Sequence, residues 1–283
     1  MKNLKLNLVL ILFISLLCSC KNEGKKDENS ESREKKQTTM KSETGELSES
    51  PRHHEWIDLS HGERSFKAFV AYPESDKKTK AVIVIHENRG LNDWARVFTD
   101  KLASKGYLVI APDLISNTVE GKERTTDFEN PDAARDAIYD LDKDQVTKDL
   151  DAAYEYIKKD PASTGEVAVV GFCWGGSQTF RYATNNPEIT SAHVFYGTAP
   201  KDASELAKIE SPVYGYYGGN DNRVNSTIEE TEKIMKENDK TYEYEIYEEA
   251  GHAFMRSGHE TDAIDANKNA HDKAWKRLLN LLD

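Results

Sequence analysis

Cysteine is scarce: three stand among 283 residues, Cys18, Cys20 and Cys173. Two lie within the first twenty residues, so no disulfide framework can staple the body of the chain. Long apolar runs are missing too. The longest, Leu8 to Leu17, is far short of the roughly 20 residues that a spanning helix needs. There is no phosphate-cradling glycine loop and no Gly-x-Gly-x-x-Gly. His53, His54, His61, His193, His259 and His271 show no ligand spacing, and His86 at a strand end is read as structural, so no metal and no cofactor are expected. Positive charge is also deficient, with 38 Lys and Arg against 50 Asp and Glu and a net charge of −12. That argues against nucleic acid as a partner and against charge-driven adhesion to anionic lipid.

What is present begins with an address. Lys2 and Lys5 precede Leu8 to Leu17, and a small residue, Ser19, stands before Cys20. A charged start, a short apolar core and a small-residue cleavage site make an export signal. With cysteine at the cleavage point the segment resembles a bacterial lipoprotein signal, which implies lipidation of Cys20 and an exported protein held at a membrane surface, facing the periplasm or the cell exterior. An uncleaved anchor or a plain signal cut elsewhere are the alternatives. Under the lipoprotein reading membrane contact is made only through the lipid, and Cys173 is the one thiol left.

Residues 21–52 carry eight basic and eight acidic residues and almost nothing apolar, a composition that cannot offset its ordering entropy and is expected to be a disordered linker. Residues 53–283 remain for one domain, with 28 basic against 42 acidic residues. Strand-like runs are expected at 64–71, 81–85, 107–110, 166–170, 192–196, 213–217 and 242–247. Helical patterns fall at 94–104, 132–159 as one or two helices, 175–184, 227–236 and about 262–282. This alternation predicts an α/β fold with a mostly parallel central sheet and helices on both faces. Ligands of such sheets bind at the carboxyl ends of the strands.

One motif at such an end carries chemistry. Gly171-Phe172-Cys173-Trp174-Gly175-Gly176 follows the apolar run Val167 to Val170. Small-x-nucleophile-x-Gly after a buried strand is the sequence form of a nucleophile elbow, a sharp strand-to-helix turn that exposes one reactive side chain. A buried cysteine beside glycines that only pack is the structural alternative. Two further residues sharpen the choice: Asp221 follows the strand-like run from Val213, and His252 follows the next, from Tyr242. Nucleophile, acid, histidine is the chain order of α/β-hydrolases. The tyrosines at 214, 216, 217, 242, 244 and 247 alternate as strand faces and are read as packing.

From about residue 55 to 283 the chain resembles the dienelactone hydrolase family of α/β-hydrolases. The resemblance is carried by His86-Glu87-Asn88-Arg89-Gly90, Ala111-Pro112-Asp113-Leu114, the Cys173 elbow, Asp221, and Gly251-His252-Ala253-Phe254 with Arg256. Serine-type esterases usually carry His-Gly where this chain has His86-Glu87. The resemblance implies a cysteine nucleophile, Cys173, with His252 as base and then acid and Asp221 holding its tautomer. It places the oxyanion against the backbone N–H groups of Trp174 and Asn88. It makes Glu87 a carboxylate that contacts the cysteine at rest and swings away when substrate binds, and it offers Arg256 to a substrate carboxylate. One departure matters: where family members that cleave dienelactone carry an arginine after Leu114, this chain has Ile115-Ser116-Asn117-Thr118.

The expected activity is hydrolysis of a small carboxylic ester or lactone through an acyl-thioester, by a monomer. Two alternatives stay open: a catalytically silent binding lipoprotein on the same scaffold, and acyl transfer to an acceptor other than water.

Overall fold

The computed structural model describes residues 45–283. The expected export signal and Cys20 lie outside the described residues, as does most of the expected linker. Among the described residues no helix is long and apolar enough to cross a membrane.

Eight strands form one sheet in the order β1-β2-β4-β3-β5-β6-β7-β8. These are β1 His54–His61, β2 Arg64–Ala71, β3 Thr79–Ile85, β4 Leu108–Pro112, β5 Ser163–Phe172, β6 Ala192–Phe195, β7 Val213–Gly218 and β8 Tyr242–Tyr247. β2 runs antiparallel to β1 and β4, while every pairing from β4 to β8 is parallel. The inner strands are short runs of Val, Ile and Ala, buried on both faces. They read as continuous apolar stretches because parallel sheets are covered on both sides.

Alternation along the strands divides the core. On one face Val82, Val84, Phe172 and Phe195 meet Trp94, Phe98 and Leu102 of helix α1 (Asp93–Ala103) and Ala274 and Leu278 of the closing helix Asp265–Leu282. On the other Ile83, Ile85, Val167 and Val169 meet Val146, Leu150 and Ile157 of a helix spanning Lys143–Lys159 and Phe180 of the helix Trp174–Asn185. The pattern expected at 132–159 resolves into two helices, Pro131–Tyr139 and Lys143–Lys159, because Asp142 accepts from the N–H groups of Asp144 and Gln145 and starts a new one.

Two features lie beyond what the sequence pattern carries. β1 was not anticipated: His-Glu-Trp-Ile-Asp-Leu-Ser-His alternates too weakly, as an edge strand with one face near solvent does. Residues ahead of the expected boundary at 53 also touch the domain. Residues 45–48 form a helical turn whose Leu47 packs against the core, and Glu46 pairs with Lys101 and His259. Arg52 forms a two-pronged ion pair with Asp100, at 2.7 and 2.6 Å, joined by Ser50 and His54. Composition counts these polar residues as solvated, whereas a buried acidic partner on α1, Asp100, draws them onto the domain.

Candidate active site

Strand register sets the geometry. Ile85 of β3 pairs with Gly171 of β5, so Glu87 and Cys173 both fall two residues past a paired position on neighbouring strands. Phe172 pairs with Phe195 of β6, which puts Tyr196 beside Cys173. Gly218 of β7 pairs with Tyr247 of β8, so the next turns, carrying Asp221 and His252, emerge from the same rim.

Cys173 is the turn itself, at φ 55° and ψ −115°, between β5 and the helix Trp174–Asn185. A non-glycine residue there costs about 1–3 kcal/mol. Packing holds it: Phe172 is fully buried, its ring 4.7 Å from that of Phe98 and 5.0 Å from that of Trp94. Gly175 must be glycine because a Cβ would stand 2.3 Å from the His86 carbonyl oxygen. His86 is neutral and structural: burial pushes its pKa down to about 4, its Nδ1–H donates to the Glu87 carbonyl at 2.8 Å, and its Nε2 accepts from the Leu114 N–H.

Three of the expected residues stand in a line. The Cys173 Sγ lies 3.1 Å from His252 Nε2, and His252 Nδ1–H donates to Asp221 Oδ2 at 2.5 Å. The two loops approach so closely that a Cβ on Gly218 would come 2.6 Å from the Gly251 carbonyl oxygen. The histidine loop is pinned from outside by Asn267, whose Oδ1 accepts from the Gly251 N–H at 2.9 Å, and by the left-handed turn at Ala253. The backbone N–H groups of Trp174 and Asn88 lie close enough to the sulfur to favour its thiolate, so one point faces two donors.

The second group sits across the cavity. Glu87 is buried, with Oε2 accepting from Arg256 Nε at 2.9 Å and Oε1 from the Tyr196 hydroxyl at 3.1 Å. Arg256 also stands 3.6 Å from Glu260. The expected contact of Glu87 with the cysteine is therefore not a hydrogen bond here, and Arg256, expected to be open to substrate, is engaged by Glu87. The reason is burial: a carboxylate shielded from water takes the nearest guanidinium, and Arg256 reaches it from one helical turn after His252. The thiol responds to its surroundings. Burial foremost, and the Glu87 charge next, push Cys173 up to about 11, against the opposing pull of the two N–H donors and of Arg223.

Glu87, Asn88, Cys173, Trp174, Tyr196, His252 and Arg256 line a cavity of about 530 Å³ together with Tyr139, Ser177 and Arg223. Tyr196, Arg223 and Asn267 were missed in the sequence. Tyr196 stands one residue past a strand end and Arg223 two residues past the acid, positions that the strand-end rule flags. Asn267 lies on a distant helix and leaves no local signal. Among the described residues no cluster of three or more His, Cys, Asp or Glu side chains could hold a metal ion.

An eight-stranded sheet with a cysteine elbow after β5, an acid after β7 and a histidine after β8, all at the same ends of parallel strands, defines an α/β-hydrolase. The model of the dienelactone hydrolase family matches residues 66–283, and the chain belongs to that family. A Salmonella typhimurium relative that carries the name carboxymethylenebutenolidase is 31% identical over 228 residues, 75% of this chain and 80% of its own. A Bradyrhizobium protein named as a 2-oxo-3-(5-oxofuran-2-ylidene)propanoate lactonase is 30% identical, with 80% of this chain and 92% of its own covered. In fold, the chain is similar to a Klebsiella pneumoniae structure described as a dienelactone hydrolase, with a TM-score of 0.72 at 24% identity, covering 82% of this chain and 98% of that one.

Proposed function

We propose that this hydrolase cleaves small carboxylic esters or lactones with Cys173 as nucleophile, His252 as proton carrier and Asp221 as the group that orients it. The alignment of sulfur, imidazole and carboxylate at 3.1 and 2.5 Å carries the reading. As the thiol attacks the carbonyl carbon, its proton passes to His252 Nε2, and the imidazolium is stabilised by Asp221. The carbonyl oxygen becomes an oxyanion between the N–H groups of Trp174 and Asn88, donors of a kind worth roughly 3–4 kcal/mol each in the barrier. Collapse breaks the ester C–O bond, and the departing alkoxide takes the proton from His252, leaving a thioester on Cys173. Water, deprotonated by His252, attacks that thioester and releases the acid and the thiol. In a lactone the alcohol and acid belong to one product.

The test is turnover of 4-nitrophenyl acetate by the full chain. We expect Cys173→Ala to abolish it; turnover that survives this change would assign the chemistry elsewhere. The N-terminal segment carries a separate proposal, export as a lipoprotein acylated on Cys20, checked by incorporation of labelled fatty acid that is lost in Cys20→Ser.

A further inference from the structure

Polar side chains around the Cys173 cavity are almost all spent on one another. Glu87 and Arg256 cancel, and Arg256 faces a second carboxylate in Glu260. The Tyr196 hydroxyl is committed to Glu87, the Ser177 hydroxyl lies 3.2 Å from that of Thr198, and the Asn88 amide donates to the Tyr139 hydroxyl at 3.2 Å. Both nitrogens of His252 are engaged. Arg223 is different. It lines the cavity, its side chain is exposed, and it forms no ion pair with any described residue.

The base of that side chain is firm. Val224 is buried against Tyr217 and Ile228, the N–H groups of Val224 and Asn225 donate to the Asp221 carbonyl at 3.1 and 2.9 Å, and the Asn225 amide donates to the Gly218 carbonyl at 2.9 Å. The guanidinium therefore swings from the same anchored turn that presents Asp221, within electrostatic reach of the sulfur. Among the described residues lining the cavity it is the cation without an ion-pair partner, in a protein whose net charge of −12 repels anions at long range. A planar fork with free donors, held at one wall of an acyl-accepting cavity, matches a carboxylate in geometry and in sign.

We propose that Arg223, rather than Arg256, is the specificity-determining residue of this site and that it holds a carboxylate on the ester or lactone whose carbonyl lies against Cys173. The inference rests on the hydrolytic reading for the identity of the reacting group, and on the uncompensated charge for the substrate's second feature.

A matched pair of substrates isolates that feature: 4-nitrophenyl hydrogen succinate, which carries a free carboxylate, and its methyl ester, which does not. In the full chain kcat/KM favours the carboxylate. Arg223→Gln lowers the ratio of the two kcat/KM values about tenfold or more, and Arg223→Lys restores part of it. Because the same thiol attacks both esters, any loss common to the two cancels in the ratio. The double variant Glu87→Gln with Arg256→Gln removes a cancelling pair and keeps the preference. A ratio unmoved by Arg223→Gln, or one that collapses in the double variant, overturns the assignment. Calorimetry in the Cys173→Ala background separates it from the hydrolytic reading, since binding needs no turnover. There the carboxylate ester binds about tenfold more tightly than the methyl ester, and Arg223→Gln erases the difference. Equal affinities before that change sink the proposal whether or not the enzyme hydrolyses either compound.

Discussion

Asp221 and Glu87 flank the elbow strand from opposite sides, each past the end of a parallel strand and each with a side chain only 5% exposed, yet their partners differ in kind. Asp221 meets an imidazole, a group that gains a proton in the proposed reaction, so its charge stabilises a state that forms during turnover. Glu87 meets a guanidinium that is charged throughout and a tyrosine hydroxyl, and the field it leaves at the sulfur opposes the thiolate. In the proposed reaction, two carboxylates a few residues past strand ends thus act with opposite sign on one thiol. The lesson is that burial alone does not assign a role to a carboxylate; what decides is whether its partner changes charge.

The strongest challenge to this contrast is to replace the sulfur. Cys173→Ser is expected to keep the fold and lower ester turnover about 10³-fold or more, since a hydroxyl is far harder to ionise at an elbow that supplies only a histidine and two N–H donors. Steady-state kinetics beside a thermal melt checks both halves, and wild-type rates in this variant would contradict the nucleophile assignment. On the Asp221 side, Asp221→Asn leaves a neutral amide beside Nδ1, and kcat should fall about 10²–10⁴-fold with KM little changed.

On the Glu87 side the effect reverses. A thiol pushed up to about 11 is mostly protonated at neutral pH, and the thiolate is the reactive form, so alkylation by iodoacetamide should quicken about tenfold per pH unit until the pH nears that value. Glu87→Gln removes the opposing charge and leaves Arg256 less compensated. Both changes favour the thiolate, so the alkylation profile should shift to lower pH, with a rate at pH 8 about three- to tenfold above wild type. An unshifted or upward-shifted profile would remove Glu87 from control of the thiol. The smallest expected effect is that of Tyr196→Phe, which takes one of two hydrogen bonds from a buried carboxylate. Urea denaturation should register a loss of about 1–2 kcal/mol.

Much of this was legible in the order of residues. The apolar run Val167 to Val170 followed by Gly-Phe-Cys-Trp-Gly-Gly announces the elbow because all of its requirements are local: a buried strand, a strained turn, and glycine where the chain passes a neighbouring carbonyl. Strand-end positions for Asp221 and His252 are legible for a similar reason, since strand length and turn residues lie within a few positions of each. His54–His61 escaped notice because an edge strand, paired on one side, need not alternate cleanly. The contacts of residues 45–52, within the linker expected at 21–52, are invisible to composition because Asp100 lies on a helix 48 residues on from Arg52.

Sequence by itself determined the class of fold, the nucleophile candidate and the chain order of the residues around it, because hydrophobic period and turn chemistry are short-range properties. Tertiary structure alone decided which charges meet. That Glu87 closes on Arg256, that Tyr196 and Asn267 brace the two sides, and that Arg223 is left with a free guanidinium all follow from strand register and from helices distant in the chain. A charge's partner is a matter of distance in space, and no spacing along the chain encodes it.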